Sequence, residues 1–149
     1  TIPGFRALDK YAVRMGGGEN HRLNLADGIL IKDNHITILK DSNMNLSDIV
    51  RISKQNEIIP NKTEIEVTDL GQLEDALAGN PDIILLDNMS IKDMSKAVKK
   101  VNGKLLLEAS GNVTLENISD IAATGVDLIS IGALTHSSKA LDISLESEF

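Results

Sequence analysis

The chain has 149 residues, of which 42% are hydrophobic and 25% charged, a composition typical of one globular domain with an ordinary core. Its formal charge of −7 argues against a broad nucleic-acid-binding surface, which requires clustered basic residues. The sequence has no cysteine, no signal peptide, and no apolar run near the roughly 20 residues of a membrane span. We therefore expect a cytoplasmic protein without nucleic-acid or membrane partners.

The charge is distributed unevenly. Residues 1–40 contain six Lys and Arg against four Asp and Glu, whereas residues 41–149 contain nine against eighteen. The basic part includes "GGGENHR" (Gly16–Arg22) and "LIKDNH" (Leu30–His35), which gather three glycines, two histidines, an arginine and a lysine. This stretch is either a turn-rich surface or a local anion site.

Helical spacing of Phe5, Leu8, Ala12 and Met15 predicts an opening helix capped by Gly16. Strands and helices then alternate. The predicted strands are Gly28–Ile31, Thr63–Val67, Asp82–Leu86, Lys104–Glu108 and Asp127–Gly132. The predicted helices are Leu46–Asn56, one from Thr68 or Asp69 to Gly79, one from Ser90 to Gly103, and one from Thr114 to Gly125. This order predicts an α/β fold of repeated βα units with a parallel sheet, too short for a complete eight-stranded barrel.

Charged side chains end four of these strands: Lys32, Glu66, Asp87 and Glu108. Ligands of parallel βα proteins bind at strand ends, so we expect one charged rim. A single strand-end charge is usually just solvated, but four in succession favour a site. The carboxylates of Glu66 and Asp87 suit either a general acid/base pair or Mg²⁺ ligation, and Mg²⁺ suits better beside a phosphate.

The loops "ASGN" (Ala109–Asn112) and "GALTHSS" (Gly132–Ser138) predict a phosphate site, because small residues let backbone N–H groups approach an anion. A helix starting near Thr114 would add its positive N-terminus. Ordinary turns explain the same composition equally well. The three histidines, His21, His35 and His136, lack zinc-ligand spacing. No phosphate-binding loop, dinucleotide fingerprint or nucleophile elbow occurs in the sequence.

Several segments resemble the quinolinate phosphoribosyltransferases, also called carboxylating nicotinate-nucleotide pyrophosphorylases. They are "TIPGFRALDKYAVRMGGGENHRLNLADGILIKDNHI", "EIEV", "ILLDNM", "LEASGNVTLENI" and "GVDLISIGALTHSSKALDISL", in that order. The resemblance implies that residues 1–149 are the C-terminal domain, an incomplete TIM-like α/β barrel. It also implies that an N-terminal domain, the first barrel strand and an Arg-Lys pair lie outside the chain, so we expect the chain alone to be inactive.

Family members transfer the phosphoribosyl group of phosphoribosyl pyrophosphate to quinolinate with loss of CO₂, giving nicotinate mononucleotide for NAD synthesis, and they use Mg²⁺. By resemblance, His21, Arg22 and Lys32 face the quinolinate carboxylates and a neighbouring phosphate. Glu66 and Asp87 hold the ribose hydroxyls and hydrated Mg²⁺, with support from Glu108. The implied phosphate cradle consists of Ser110, Gly111, Gly132 and His136. The implied assembly is a homodimer or a higher homo-oligomer.

Two alternatives remain open at this stage. One is a sister phosphoribosyltransferase of the same fold that uses another acid, such as nicotinate or the precursor of a metal cofactor. The other is a catalytically inactive barrel fragment that retains phosphate affinity. Release of CO₂ from quinolinate would distinguish the carboxylating enzyme from the first alternative. Titration of the chain with phosphoribosyl pyrophosphate and Mg²⁺ tests the second.

Overall fold

The structure, a computed structural model, describes residues 1–24, 26–40, 44–55 and 62–147. Within these ranges five strands form one open parallel sheet, in which each strand pairs with the next along the chain. The strands are β1 (Ile29–Ile31), β2 (Thr63–Val67), β3 (Ile83–Asp87), β4 (Leu106–Ser110) and β5 (Leu128–Ile129). The predicted α/β class with repeated βα units is confirmed.

Helices connect these strands. In the described ranges they are α1 (Arg6–Met15), α2 (Asp33–Lys40), α3 (Leu46–Gln55), α4 (Leu70–Ala78), α5 (Ile91–Val101), α6 (Ile118–Ala123) and α7 (Ala133–His136). Two helix starts have the capping bonds that their sequences predict. Asp69 Oδ1 accepts from Gln72 N at 2.8 Å, and Ser90 Oγ accepts from Asp93 N at 3.1 Å. None of the helices described here combines the length and hydropathy needed to cross a membrane.

Side-chain alternation divides the sheet into two faces. On β2, Ile65 and Val67 are fully buried in the hydrophobic core, and the alternate positions carry Glu64 and Glu66. The register extends this pattern across the sheet. Glu66 pairs with Leu85 of β3, and Leu85 pairs with Glu108 of β4, so the three side chains lie on the same face. We call the face that carries the three glutamates the inner face.

The hydrophobic core lies on the opposite face, between the sheet and helices α3 to α6. Its fully buried members include Val50, Ile65, Val67, Leu73, Ala76, Ile84, Leu86 and Ala97. Burial of such side chains contributes about 1.5–3 kcal/mol each relative to exposure, so this face holds the layer together. The inner face carries acidic side chains, which are incompatible with a packed apolar interior. This face is therefore available for polar groups.

The predicted start of one helix differs from the start in the structure. The helix expected from Thr114 begins at Ile118, because Asn117 folds the preceding residues into a turn. Asn117 Oδ1 accepts from Thr114 N at 2.8 Å, and its Nδ2 donates to Asn112 O at 2.9 Å. These bonds replace the first helical turn. The predicted helix N-terminus at Thr114 is therefore wrong.

Strand β4 is shifted relative to its predicted range of Lys104–Glu108. Asn102 and Gly103 adopt positive φ angles of 48° and 72°, and the turn that they form delays pairing until Leu106 meets Ile83. Glu108 therefore lies in the middle of β4 and not at its end, which Ser110 occupies. The predicted position of Glu108 on the strand-end rim is wrong.

Smaller differences concern one strand and two short helices. Strand β5 has two residues of the six predicted, since only Leu128 and Ile129 pair with β4. Helices α2 and α7 were not predicted. The predicted helix end at Asn56 lies outside the described residues.

Candidate active site

Two carboxylates and a lysine form a charged group at the carboxyl ends of β1, β2 and β3. Lys32 follows β1 and is exposed, whereas Glu66 and Asp87 are half-buried. Burial, and secondarily the charge of Asp87, raises the pKa of Glu66, while Lys32 opposes that shift. The sequence prediction that these three residues share one rim agrees with this electrostatic coupling.

A cavity of about 800 Å³ opens over the inner face of the sheet, and its lining includes Ile29, Ile83 and Leu106, the first residues of β1, β3 and β4. Its lining includes four residues that the sequence singled out, namely His21, Arg22, Glu108 and Gly132. Lys32, Glu66 and Asp87 are not among its lining residues. The predicted site residues therefore fall into a rim group and a cavity group.

His21 lies between two buried glutamates within this cavity. Its Nε2 is 3.0 Å from Glu64 Oε2 and 3.5 Å from Glu108 Oε1. The hydrogen bond to Glu64 raises the pKa of His21 against the opposing effect of burial. Burial raises the pKa of Glu108, and the hydroxyl of Ser130, which donates to Glu108 Oε1, partly offsets this. A positively charged imidazole is the form that this arrangement favours.

Helix α1 anchors the segment that carries His21 and Arg22. Lys10 Nζ donates to the backbone carbonyl of Arg22, and the Arg6 guanidinium donates to Leu23 O at 2.9 and 3.2 Å. Burial, and next the charge of Arg6, lowers the pKa of Lys10. The polar face of α1 thus holds the glycine-rich segment against the cavity and adds cations beside it.

The residues predicted to cradle phosphate extend from β4 and β5. Ser110 ends β4, and Gly111 follows with a φ of +94°. The side-chain amide of Asn88 stands directly over Gly111, where a β-carbon would collide with it. Asn88 also donates to Asp87 Oδ2 and accepts from Asn112 Nδ2, both at 2.9 Å. This amide therefore joins the rim carboxylate to the predicted phosphate loop.

Gly132 and His136 are adjacent at the first turn of α7. A β-carbon on Gly132 would lie 2.7 Å from His136 Nε2, so the absence of a side chain admits the imidazole. His136 is exposed, and its Nδ1 is 2.6 Å from Ser137 Oγ. The structure thus brings these two predicted residues together and places Gly132 on the cavity wall.

Three groups of the site escaped the sequence interpretation: Glu64, Asn88 and Ser130. Glu64 had a usable signal, because a period of two in "TEIEV" places it on the same face as Glu66. The same period of two in "LIS" would have assigned Ser130 to one face of its predicted strand. Nothing in the sequence indicated that Asn88 reaches across to Gly111, which depends on the neighbouring positions of two loops.

Two sets of oxygen and nitrogen atoms could hold a metal ion. Glu66 and Asp87 offer hard oxygen ligands at the rim. His21, Glu64 and Glu108 offer one atom each, and these three atoms lie within 4.8 Å of one another. The histidine spacing in the sequence gave no indication of this second set, because its carboxylates come from β2 and β4.

A parallel βα layer with charged side chains and glycine-containing loops at its strand ends is typical of one class, the βα proteins whose ligand sites lie at the carboxyl ends of their strands. Comparison with known proteins identifies the family. The family described as quinolinate phosphoribosyl transferase, C-terminal domain, matches residues 1–146. The chain belongs to this family.

The relatives agree with this assignment. A nicotinate-nucleotide pyrophosphorylase [carboxylating] from Mycobacterium leprae is 46% identical over 149 residues, covering 98% of this chain and 51% of that protein. Quinolinate phosphoribosyltransferase [decarboxylating] 1b from Nicotiana tabacum is 41% identical, covering 98% and 46%. The crystal structure of NadC from Streptococcus pyogenes superposes with a TM-score of 0.89 at 39% identity, covering 99% of this chain and 50% of that one. The chain therefore spans about half the length of the curated relatives that it matches.

Proposed function

We propose that this chain carries the active site of an enzyme that joins quinolinate to phosphoribosyl pyrophosphate and gives nicotinate mononucleotide, pyrophosphate and CO₂, a step of NAD synthesis. One observation carries the proposal. In a chain of this family, one sheet carries His21 and Arg22 in the cavity over its inner face and the carboxylates of Glu66 and Asp87 at its strand ends. The activity and substrates belong to the proposal because the chain spans half of its named relatives.

Charge supports the choice of substrates. Quinolinate carries two carboxylates and the sugar donor carries several phosphate charges, so a site for both requires cations in a sheltered cavity. Arg22 and Lys10 line the cavity, and His21 is held in a setting that favours its charged form. Each charge-assisted hydrogen bond to such an anion contributes about 1.5–3 kcal/mol.

The reaction requires negative charge near the ribose. When the C1–pyrophosphate bond breaks, its electrons leave with pyrophosphate, and the ribose carbon becomes positive before the pyridine nitrogen bonds to it. The carboxylates of Glu66 and Asp87 would stabilise that positive carbon. The positively charged pyridinium nitrogen would then stabilise the carbanion left on the adjacent ring carbon when CO₂ departs, and a proton would bond to that carbon in place of the lost carboxylate.

Mg²⁺ forms part of the proposal, held by Glu66 and Asp87 through water. The fit rests on the donor set of the rim, where two half-buried carboxylates extend from the adjacent strands β2 and β3. Oxygen ligands and retained water are what Mg²⁺ prefers. When bound, Mg²⁺ supplies neutralisation of the charge on the leaving pyrophosphate.

The proposal extends to a cytoplasmic homodimer or higher homo-oligomer. Its support is the apolar side of α1, where Phe5, Leu8, Tyr11 and Met15 are each more than half exposed. Exposed apolar groups of this extent typically mark a surface that another part of an assembly covers. Light scattering on the purified protein gives the mass of the particle directly.

The reaction is tested with carboxyl-labelled quinolinate, phosphoribosyl pyrophosphate and MgCl₂. Labelled CO₂ and nicotinate mononucleotide should appear together, and nicotinate in place of quinolinate should give no product. Product from nicotinate would identify a sister enzyme. If the 149 residues give no turnover, calorimetry with quinolinate and with phosphoribosyl pyrophosphate distinguishes a binding-competent chain from one that binds neither ligand.

A further inference from the structure

Of the two glutamates beside His21, Glu64 has no part in the proposed reaction, and Glu108 has only the supporting role that the resemblance implies. The side chains of Glu64 and Glu108 are only 7% and 4% exposed, whereas His21 is 33% exposed and lines the cavity. Burial of two carboxylates costs free energy unless each has a partner. Their contact with a single imidazole therefore calls for a functional explanation.

The geometry fixes the role of each imidazole nitrogen. Nε2 of His21 faces Glu64 Oε2 at 3.0 Å, so this nitrogen must carry a proton to make the hydrogen bond. In the imidazolium form Nδ1 is a donor as well, and it has no partner among the residues that the structure describes. Because His21 lines the cavity, this second N–H is the donor that the imidazolium form offers to a ligand there.

We propose that Glu64 is a positioning residue, which holds His21 as an imidazolium so that Nδ1 donates to a carboxylate of the acid bound in the cavity. This inference rests on the proposed function for the identity of that acid. Without Glu64, a neutral His21 could present either a lone pair or an N–H to the ligand, and a lone pair repels a carboxylate. Glu64 thereby makes acid binding depend on the ionisation of His21.

The charges around His21 agree with this role. Glu64 from β2 and Glu108 from β4 both favour the imidazolium, and the adjacent Arg22 opposes it. Ser130 donates to Glu108 and so keeps that carboxylate oriented towards the ring. The other charged residues that line the same cavity are Lys10, Glu19, Asp27 and Lys62. The closest contact of His21 is with Glu64, which makes it the dominant partner.

A divalent cation is the rival occupant of this cluster. The three ligand atoms are close enough to share an ion, and Glu64 Oε1 is buried with no hydrogen-bond partner in the described structure. A cation there would displace the proton from Nε2, because imidazole binds metals in its neutral form. The two interpretations therefore predict opposite protonation states for His21.

The experiment is a pH titration of the imidazole ¹⁵N and ¹H signals in the 149-residue chain. The chain has three histidines, and His21→Gln assigns the signal. In Glu64→Gln, which keeps shape and acceptor but removes the charge, His21 should titrate at clearly lower pH than in the parent. Glu74→Gln, at an exposed glutamate of α4 that pairs with Lys100, is the matched control and should leave the titration unchanged.

Ligand binding supplies the second readout. In the parent, quinolinate affinity measured by calorimetry should fall about tenfold or more as pH rises through the titration of His21, since one charge-assisted bond is lost. In Glu64→Gln the same fall should occur at lower pH. The parent measurement requires no variant, so the proposal stays testable if Glu64→Gln does not fold.

Three outcomes decide between the hypotheses. An unchanged His21 titration in Glu64→Gln, with quinolinate binding intact, overturns the positioning role. Loss of the His21 imidazolium signal on adding stoichiometric ZnCl₂ or MnCl₂ at neutral pH, with tight binding that Glu64→Gln abolishes, also overturns it in favour of a metal site. Absence of quinolinate binding by the parent at every pH, with the His21 titration still shifted by Glu64→Gln, contradicts the proposed function instead.

Discussion

The side-chain amide of Asn88 fills the space above Gly111 that a β-carbon would otherwise occupy. Because Asn88 also bonds to Asp87 and Asn112, this contact fixes the rim carboxylate relative to the predicted phosphate loop. The small residue at position 111 therefore accommodates a neighbouring side chain, in addition to any approach that it allows to a phosphate. The sequence suggested only the second role.

We expect Gly111→Ala to destabilise the protein by about 2 kcal/mol or more, from the positive φ and the displaced amide together. It should also weaken affinity for phosphoribosyl pyrophosphate. Gly103→Ala is the matched control, because Gly103 has a φ of +72° with open space around its α-carbon. Urea denaturation of both variants measures the difference, and equal losses would show that the Asn88 contact contributes nothing.

The fold was largely predictable because the core alternates regularly. Strand β2 and helices α4 and α5 follow their apolar periods and capping residues closely. The errors occurred in two connections, one shaped by side-chain bonds to the backbone and the other by two residues with positive φ angles. Asn117 replaces a helical turn after β4, and the turn at Asn102 and Gly103 delays β4 by two residues. Propensity and periodicity do not encode such bonds.

The candidate site was predictable only in part. Strand ends indicated Lys32, Glu66 and Asp87, since parallel strands deliver their ends to one edge. The pairing of His21 with Glu64 was beyond this reasoning, because it brings together a loop and a strand separated by 43 positions. A distance of this kind depends on how α1 and its following segment pack over the sheet.

Stability should depend on pH in a defined direction. The pKa values of His21, Glu66 and Glu108 are all raised in the folded chain. For the histidine, the stabilisation is present below its unfolded pKa of roughly 6.5 and is lost as pH rises through the folded pKa. For the glutamates, the folded state prefers the protonated form, so stability also falls as pH rises above their ordinary range.

We therefore expect the free energy of unfolding to be higher near pH 6 than near pH 8.5, as measured by urea denaturation followed by circular dichroism. Glu108→Gln should flatten this dependence, because it removes one buried carboxylate and one charge that favours the His21 imidazolium. Glu74→Gln serves again as the exposed control. A stability that rises between these two pH values would contradict the raised pKa values.

Removal of the charge of the rim carboxylates Glu66 and Asp87 should lower turnover more than it lowers the affinity for quinolinate. If Glu66 and Asp87 handle the ribose and Mg²⁺, Glu66→Gln and Asp87→Asn should lower kcat by about a hundredfold in a form of the protein that shows turnover, such as the chain combined with the N-terminal domain that the resemblance implies. They should raise the Mg²⁺ concentration needed for half-maximal rate and leave the quinolinate dissociation constant within a few-fold. Steady-state kinetics at several Mg²⁺ concentrations provide the measurement. Normal kinetics combined with reduced stability would assign these residues to the fold alone.

Lys32 gives the sharpest test of the predicted anion site. It follows β1 beside Glu66 and is exposed, so a purely solvated lysine is the simplest alternative. The resemblance places this cation between a quinolinate carboxylate and a phosphate, and a charge shared by two ligands should affect both. We therefore expect Lys32→Met to weaken quinolinate and phosphoribosyl pyrophosphate together, each by about tenfold to a hundredfold.

Calorimetry with each ligand on the variant gives the two dissociation constants. Lys104→Met is the matched control, since Lys104 is also exposed but precedes β4, at the opposite end of the sheet. Its ligand affinities should equal those of the parent. Weakening of one ligand alone would place Lys32 in a single subsite, because only a cation located between the two anions couples their binding. Unchanged affinity for both would identify it as a solvated strand-end charge.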